Sequence, residues 1–277
     1  MRTKRRLKKQ IKKFLLKILI ILTFAIFCFS MYKIVNWFID SREISKQMEL
    51  IDKKSEVKEI EDSEDTEIIK PTNDLEPSDP YWDYIKMKLI NVDFKDLKTI
   101  NKYTVGWIQV GGTSINYPFV KGYDNGHFLY NDFYDKKNSA GWIFMDYRNN
   151  AKSFDKNTII YGHARLETIM FGTLENILTE QWLNNKDNHV IKLSTEKENT
   201  LWQIFSVYHI PKTSDYLEVD FESQNEYNNF LKKIKKRTII DFNTNVNVAD
   251  KILTLSTCHK DNERLVVHAK LIKSTKR

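Results

Sequence analysis

The stretch that says most about this chain reads KILTLSTC and occupies residues 251–258. Its β-branched and apolar residues predict a strand, and the polar run HKDNER that follows predicts a loop. Loops carried by a rigid scaffold commonly present the reactive side chains of a protein. Because the predicted strand ends at Cys258, this thiol is the first candidate functional group.

Other short apolar runs, separated by turn residues, predict further strands elsewhere in the chain: Val105–Val110, Asn116–Val120, Gly141–Met145, Thr158–Tyr161, Val190–Leu193, Trp202–His209 and Leu265–Ile272. With 252–257 they make eight short strands and few helices, which favours a closed barrel or a sandwich. Apolar stripes at helical spacing predict helices near 170–178 and 227–234, and an amphipathic helical entry near 82–97. The fold class is therefore mainly β with added helices.

Charge is distributed very unevenly along the 277 residues. The whole chain carries +7, but residues 1–39 hold ten Lys or Arg and no acid, whereas residues 40–80 carry a net charge of −8. Most of the basic charge therefore lies in one terminal arm beside an apolar run. That pattern indicates membrane topology rather than a nucleic-acid interface, so we expect no nucleic-acid partner.

The apolar run over residues 14–38 predicts a transmembrane helix. At ~1.5 Å per residue it spans roughly 37 Å, enough to cross a hydrocarbon core of about 30 Å. The positive arm should stay in the cytoplasm, which places the rest of the chain outside the cell as a single-pass protein. A cleaved signal peptide is the alternative, but no small-x-small cleavage site follows the run, so we favour an uncleaved anchor.

Four segments follow from these patterns. Residues 1–13 form a basic cytoplasmic arm, residues 14–38 the anchor, residues 39–80 an acidic extracellular stalk, and residues 81–277 one folded domain. Within the stalk, 42–58 could extend the anchor as an exposed helix, and 59–79 reads as disordered because it is rich in charge, with prolines at 71 and 77.

Two cysteines in the whole chain exclude a disulfide scaffold and a four-thiolate zinc site. Cys28 lies in the predicted span, so Cys258 has no intramolecular disulfide partner outside the membrane. An unpaired extracellular cysteine forms an intermolecular bridge, packs as a small hydrophobe, or reacts. On position alone these three alternatives stay open.

A nucleophilic cysteine needs a base or cation beside it. His163 follows the predicted strand 158–161, so it lies at a matching strand end, whereas adjacent His259 points to the opposite face if the strand continues. His127 in a polar loop also stays possible. Arg264, six residues after Cys258, could fold back and stabilise a developing oxyanion.

The residues carry a family resemblance at this point. TLSTC (254–258) with Arg264, preceded by IYGH (160–163), resembles a sortase, and further stretches resemble class B of that family: VGWI (105–108), GTSINYP (112–118), GWIFMDYR (141–148) and MFGTL (170–174). Sortases are membrane-anchored cysteine transpeptidases of Gram-positive bacteria. The resemblance covers nearly all of 81–277, which would make this the catalytic domain.

The resemblance implies an eight-stranded sortase-type β-barrel and a catalytic site of three residues. Cys258 would be the nucleophile, His163 the acid and base, and Arg264 the group that steadies the oxyanion. Four further positions match the groove that holds the sorting signal in class B, and they are Asn125, Leu129, Tyr161 and Ser256.

The same resemblance implies the reaction and its partners. A surface protein would be cleaved after Thr in a C-terminal sorting signal and passed from a thioester to an amine of a cell-wall precursor or of peptidoglycan. No cofactor or metal is expected. Three alternatives remain at this stage: a pilus-polymerising sortase that uses a pilin lysine, a hydrolytic cysteine peptidase, and a non-enzymatic membrane-tethered barrel that binds the wall.

Overall fold

The structure is a computed structural model that describes residues 2–71, 74–165, 167–258 and 263–277. The chain divides into two compact units, one ending at Glu43 and one comprising Ile44–Arg277.

Helix α1 (Arg2–Lys54) begins in the first unit and ends in the second. Within the first unit its apolar side chains from Phe14 to Phe29 are largely exposed, as expected of a helix that presents its surface to lipid. Among the described residues it is the one helix long and apolar enough to cross a membrane, a test that a signal sequence also passes.

Eleven strands are present in the described part of the chain: β1 (Val57–Ile60), β2 (Thr66–Ile68), β3 (Leu89–Val92), β4 (Thr104–Val110), β5 (Asn116–Val120), β6 (Phe144–Met145), β7 (Asn157–His163), β8 (Val190–Thr195), β9 (Glu198–Pro211), β10 (Ile252–Cys258) and β11 (Glu263–Lys276). All eight strands predicted from the apolar runs are among them, as β4 to β11.

Those eight strands close into a barrel. Their order is β10-β7-β6-β5-β4-β8-β9-β11, and β11 pairs again with β10 to complete the ring. Closure leaves few free sheet edges and encloses a large aromatic core that includes Trp107, Trp142, Trp202 and Phe119, each with no exposed surface. The expected eight-stranded barrel is therefore confirmed.

The described residues also form four shorter α-helices: α2 (Tyr81–Tyr84), α3 (Lys95–Ile100), α4 (Glu180–Asn184) and α5 (Gln224–Lys236). Helix α5 confirms the predicted stripe, since Tyr227, Phe230, Leu231 and Ile234 are all buried on one face. It begins at Ser223, whose hydroxyl accepts from the backbone N–H of Glu226. The stripe near 170–178 forms a 3-10 helix over Leu174–Leu178, and the predicted helical entry near 82–97 is broken by strand β3.

The segment preceding residue 81 departs most from the sequence prediction. Strand β1 pairs with β3, and β2 pairs with β11 at the edge of the barrel sheet. The end of α1 also packs into the second unit, where Ile44 and Ile51 are fully buried and Gln47 donates to the carboxylate of Asp132 at 2.7 Å. The prediction of disorder over 59–79 is therefore wrong for the residues in β1 and β2. The second compact unit begins at Ile44 rather than at residue 81.

Candidate active site

Three neighbouring strands bring the predicted catalytic residues into one row. Strand β10 pairs in parallel with β7, and the register places Cys258 opposite His163 at the ends of both strands. On its other side β10 runs antiparallel to β11, with Ser256 opposite Val266. The N–H of Leu265 donates to the hydroxyl of Thr257 at 3.0 Å, so β11 still lies alongside β10 one residue before Cys258, and Arg264 is the adjacent residue of β11.

Glycine precedes His163 for a steric reason. A Cβ at position 162 would lie 2.7 Å from the ring of Phe171, well inside van der Waals contact. The backbone N–H of Phe171 donates to the carbonyl oxygen of His163 at 3.0 Å, which holds the segment that carries the Phe171 ring against the end of β7. Gly162 therefore allows a close approach that holds the His163 backbone in place.

The imidazole of His163 is half-buried and oriented by one main-chain contact. Its Nε2 lies 3.0 Å from the carbonyl oxygen of Leu129. Because a carbonyl oxygen only accepts, Nε2 carries the hydrogen and Nδ1 of the neutral ring is unprotonated. Burial lowers the pKa of His163, the Leu129 hydrogen bond opposes that shift, and the positive charge of Arg165 adds to it. The neutral ring is therefore favoured at pH 7.

Arg264 is held by a tyrosine that the sequence analysis did not single out. The Arg264 guanidinium donates to the hydroxyl of Tyr216 at 2.9 Å. The Tyr216 hydroxyl lies 2.9 Å from Oγ of Ser256 and so can donate its own hydrogen there. Ser256 is almost fully buried. Its side chain thus supports the tyrosine that orients Arg264.

Asn125 and Tyr161 converge on one buried carboxylate. Asn125 Nδ2 and the Tyr161 hydroxyl donate to Oδ2 of Asp146 at 2.9 and 2.8 Å. The amide oxygen of Asn125 accepts from the backbone N–H of Tyr147 at 3.0 Å, which fixes the orientation of the amide. We call Asn125, Asp146 and Tyr161 the Asp146 cluster.

The remaining predicted positions fall around the same end of the barrel. Leu129 is half-buried, and its carbonyl oxygen reaches His163. His127 lies 2.6 Å from the carboxylate of Asp135, so its ring is engaged within its own loop. His259 lies outside the described residues.

The sequence analysis did not single out Tyr216 or Asp146, nor Arg148, whose Nε and Nη2 each donate to the Asp146 carboxylate at 2.8 Å. A signal for two of them was present, since Asp146 and Arg148 belong to the stretch GWIFMDYR that carried part of the resemblance. Tyr216 had no such signal, because it lies in a polar connection between β9 and α5. Its role depends on contacts that only the folded chain creates.

Comparisons with known proteins identify the family of this chain. The Sortase domain family model matches residues 108–272. Sortase B of Staphylococcus aureus is 32% identical over 268 residues, which covers 95% of this chain and 99% of that protein. Sortase B of Listeria monocytogenes is 35% identical over 184 residues, covering 65% of this chain and 74% of that protein.

Solved structures show the same fold. A Staphylococcus aureus sortase B–substrate complex superposes with a TM-score of 0.61 at 38% identity, covering 65% of this chain and 84% of that one. A Bacillus anthracis sortase B superposes with a TM-score of 0.60 at 41% identity, covering 66% and 84%. The chain therefore belongs to class B of the sortase family and is a cysteine transpeptidase of cell-wall surface proteins.

Proposed function

We propose that this protein is a membrane-anchored sortase that cleaves a C-terminal sorting signal after Thr and passes the surface protein to a cell-wall amine, with Cys258, His163 and Arg264 as its catalytic residues. The observation that carries the proposal is the row of these residues on β7, β10 and β11. A nucleophile flanked by an acid–base group and a cation is the arrangement that acyl transfer needs.

The reaction has two halves. Nδ1 of neutral His163 takes the proton of the Cys258 thiol, the thiolate attacks the carbonyl carbon of Thr, and Arg264 steadies the oxyanion. His163 then gives that proton to the leaving amine as the C–N bond breaks. The product is a thioester between Thr and Cys258. An amine from a cell-wall precursor or from peptidoglycan then attacks the thioester, His163 takes its proton, and the thiolate leaves. No redox step or bound cofactor takes part.

Asn125, Leu129, Tyr161 and Ser256 are assigned to substrate binding in this proposal, with different roles. Asn125 and Tyr161 are half-buried and lie in one cluster, so they can line the groove. Leu129 borders it beside His163. Ser256 is buried, its Oγ lies 2.9 Å from the Tyr216 hydroxyl, and it affects substrate binding through Tyr216 and Arg264.

The chemistry is tested with the full chain in detergent micelles. The protein is incubated with sorting-signal peptides that differ around Thr, with and without an amine acceptor, and intact-mass spectrometry detects the thioester and the products. Cys258→Ala should abolish the adduct, while Cys28→Ser, the matched change of the other cysteine, should leave it intact. A covalent adduct that persists in Cys258→Ala would overturn the assignment of the nucleophile.

The anchor is tested separately. Residues 14–38 should hold the chain in the cell membrane, with the basic arm in the cytoplasm and residues 39–277 outside. Protease added to cells stripped of their wall should digest the barrel and spare the amino-terminal end. Protein released to the medium without its first 38 residues, or a barrel protected from protease, would contradict this topology.

A further inference from the structure

Arg148 links two parts of the site that are far apart in sequence. Its Nε and Nη2 each donate to the carboxylate of Asp146 at 2.8 Å. The same Nη2 donates to the carbonyl oxygen of Leu217 at 2.9 Å. One guanidinium therefore joins the Asp146 cluster to the connection that precedes α5, which we call the Tyr216 segment (residues 212–223).

The Asp146 cluster depends on this guanidinium electrostatically. The Asp146 carboxylate is fully buried. Burial alone would raise the pKa of Asp146, but the hydrogen bonds from Arg148, Tyr161 and Asn125 outweigh burial and lower it. The carboxylate is therefore charged at pH 7, and a buried charge needs a partner of opposite sign. The planar guanidinium of an arginine can donate to a carboxylate along one edge and to a carbonyl oxygen from another N–H.

The Tyr216 segment carries the contact that orients Arg264. Besides the Arg148 contact, a second hydrogen bond holds this segment, because Asn157 Nδ2 donates to the carbonyl oxygen of Glu218 at 2.8 Å. A third is the ion pair between Asp215 and Arg237 of the α5 terminus at 2.5 Å. Loss of Arg148 should therefore leave the segment attached to the barrel but free to shift relative to the Asp146 cluster.

We propose that Arg148 is a positioning residue for transpeptidation: it sets the distance between the Asp146 cluster and the Tyr216 segment, and so aligns the groove residues with Arg264. The inference rests on the proposed function, which assigns Asn125 and Tyr161 to the groove and Arg264 to the oxyanion. Arg148 acts through these neighbours and touches no reacting atom itself.

The test uses the full chain in micelles with Cys28→Ser, so that Cys258 is the remaining thiol. Arg148→Lys keeps the positive charge but a single ammonium cannot reproduce the fork. Arg277→Lys is the matched control, because Arg277 likewise joins two segments by donating to main-chain carbonyl oxygens, those of Val92 and Thr195, at the opposite end of β11 from Arg264. Three quantities are measured: kcat and KM for a sorting peptide, the ratio of Cys258 alkylation by iodoacetate to that by iodoacetamide, and the unfolding temperature.

For Arg148→Lys we expect a KM increase of at least about threefold and a kcat/KM loss of about tenfold or more. The alkylation ratio should fall at least about twofold, since iodoacetate gains from a cation held beside the thiol. Arg277→Lys should change neither KM nor the ratio. A lower kcat with wild-type KM and ratio would mean only a smaller folded fraction, and would overturn the proposal.

A variant that does not fold and a protein that forms no thioester are treated separately. If Arg148→Lys does not fold, the double variant Asp146→Asn/Arg148→Gln removes the buried charge with its partner and still cuts the link to Leu217, so the same expectations apply to it. If the unaltered protein forms no thioester with any peptide, the proposed function fails. The alkylation ratio needs no substrate, so an unchanged ratio overturns the Arg148 proposal and a lowered one supports it.

Discussion

The Nε2 atom of His163 lies 3.0 Å from the main-chain carbonyl oxygen of Leu129. This contact selects the neutral tautomer protonated at Nε2 and leaves Nδ1 for proton transfer. Because burial already lowers the pKa of His163, nearby charges decide how far below its ordinary value the ring titrates. The pH profile of the enzyme should therefore respond to residues that never touch the substrate.

Arg165→Gln should raise the pKa of His163. The positive charge of Arg165 lowers that pKa, and the neutral glutamine amide removes this effect. The acid limb of the pH profile for kcat/KM should move to higher pH, together with the NMR titration of the His163 ring. Lys186→Gln is the control, since Lys186 lowers the pKa of His189 and should leave that of His163 alone. A titration midpoint that moves down in Arg165→Gln would contradict the argument.

His163→Gln tests the acid–base assignment directly. The glutamine amide can still donate to the Leu129 carbonyl, so the strand end should keep its shape, but it cannot transfer a proton. General acid–base catalysis contributes about 10²–10⁴-fold, and kcat for thioester formation should fall within that range. Rapid-quench mass spectrometry measures it. Wild-type kcat in this variant would remove His163 from the mechanism.

Tyr216→Phe should weaken the hold on Arg264 without disturbing the barrel. The ring can stay in its buried position while the guanidinium loses a hydroxyl partner at 2.9 Å. A hydrogen bond to a charged group contributes about 1.5–3 kcal/mol, so we expect a kcat/KM loss of about tenfold or more in steady-state assays. Ser256→Ala removes only the neutral contact to the same hydroxyl and should cost less. The reverse order of the two effects would show that Ser256 contacts the substrate itself.

His268 should make the fold sensitive to acid. It is fully buried, between the hydroxyls of Tyr208 at 2.9 Å and Thr254 at 2.8 Å, and burial lowers its pKa to about 3. Below pH 6.5, the ordinary pKa of histidine, His268 binds a proton in the unfolded chain but not in the folded chain. Stability is therefore lost as pH falls from about 6.5 toward 3, at up to about 1.4 kcal/mol per pH unit.

Urea unfolding at several pH values checks this expectation. His268→Gln should reduce the pH dependence of the free energy of unfolding, even though the variant is less stable at pH 7. Phe205→Leu, which alters a ring stacked on His268 but titrates nothing, should lower stability equally at every pH. An unchanged slope in His268→Gln would mean that other groups cause the acid sensitivity.

Apolar periodicity and the family resemblance predicted the barrel and the position of Cys258 and His163 at strand ends, because both depend on local signals. The residues of β10 predict a strand without reference to the rest of the chain, and His163 lies at the end of β7, which is predicted in the same way. The Asp146 cluster was not predictable in this way, since Asn125, Asp146 and Tyr161 come from three separate segments. Strands β1 and β2 were missed for a different reason. They are short and acidic, and they form only because β3 and β11 offer edges to pair with.

Those two strands and the end of α1 should matter for stability. A fragment comprising residues 44–277 keeps them, whereas residues 81–277 lose the buried side chains of Ile44 and Ile51 and the Gln47–Asp132 hydrogen bond. The shorter fragment also loses Asp62, which lies 2.6 Å from the fully buried ammonium of Lys273. Burying two such apolar side chains is worth about 1.5–3 kcal/mol each, and an uncompensated buried charge costs about 3–5 kcal/mol.

Residues 81–277 should therefore unfold at least about 10 °C below residues 44–277, since each kcal/mol shifts the unfolding temperature by about 2–4 °C in a domain of this size. Circular dichroism on the two fragments makes the comparison. Asp62→Ala in the longer fragment isolates the ion-pair contribution and should account for part of the difference, because it leaves the Lys273 ammonium with the carbonyl of Ile85 as its partner. Equal unfolding temperatures for the two fragments would mean that the segment preceding residue 81 packs on the barrel without stabilising it.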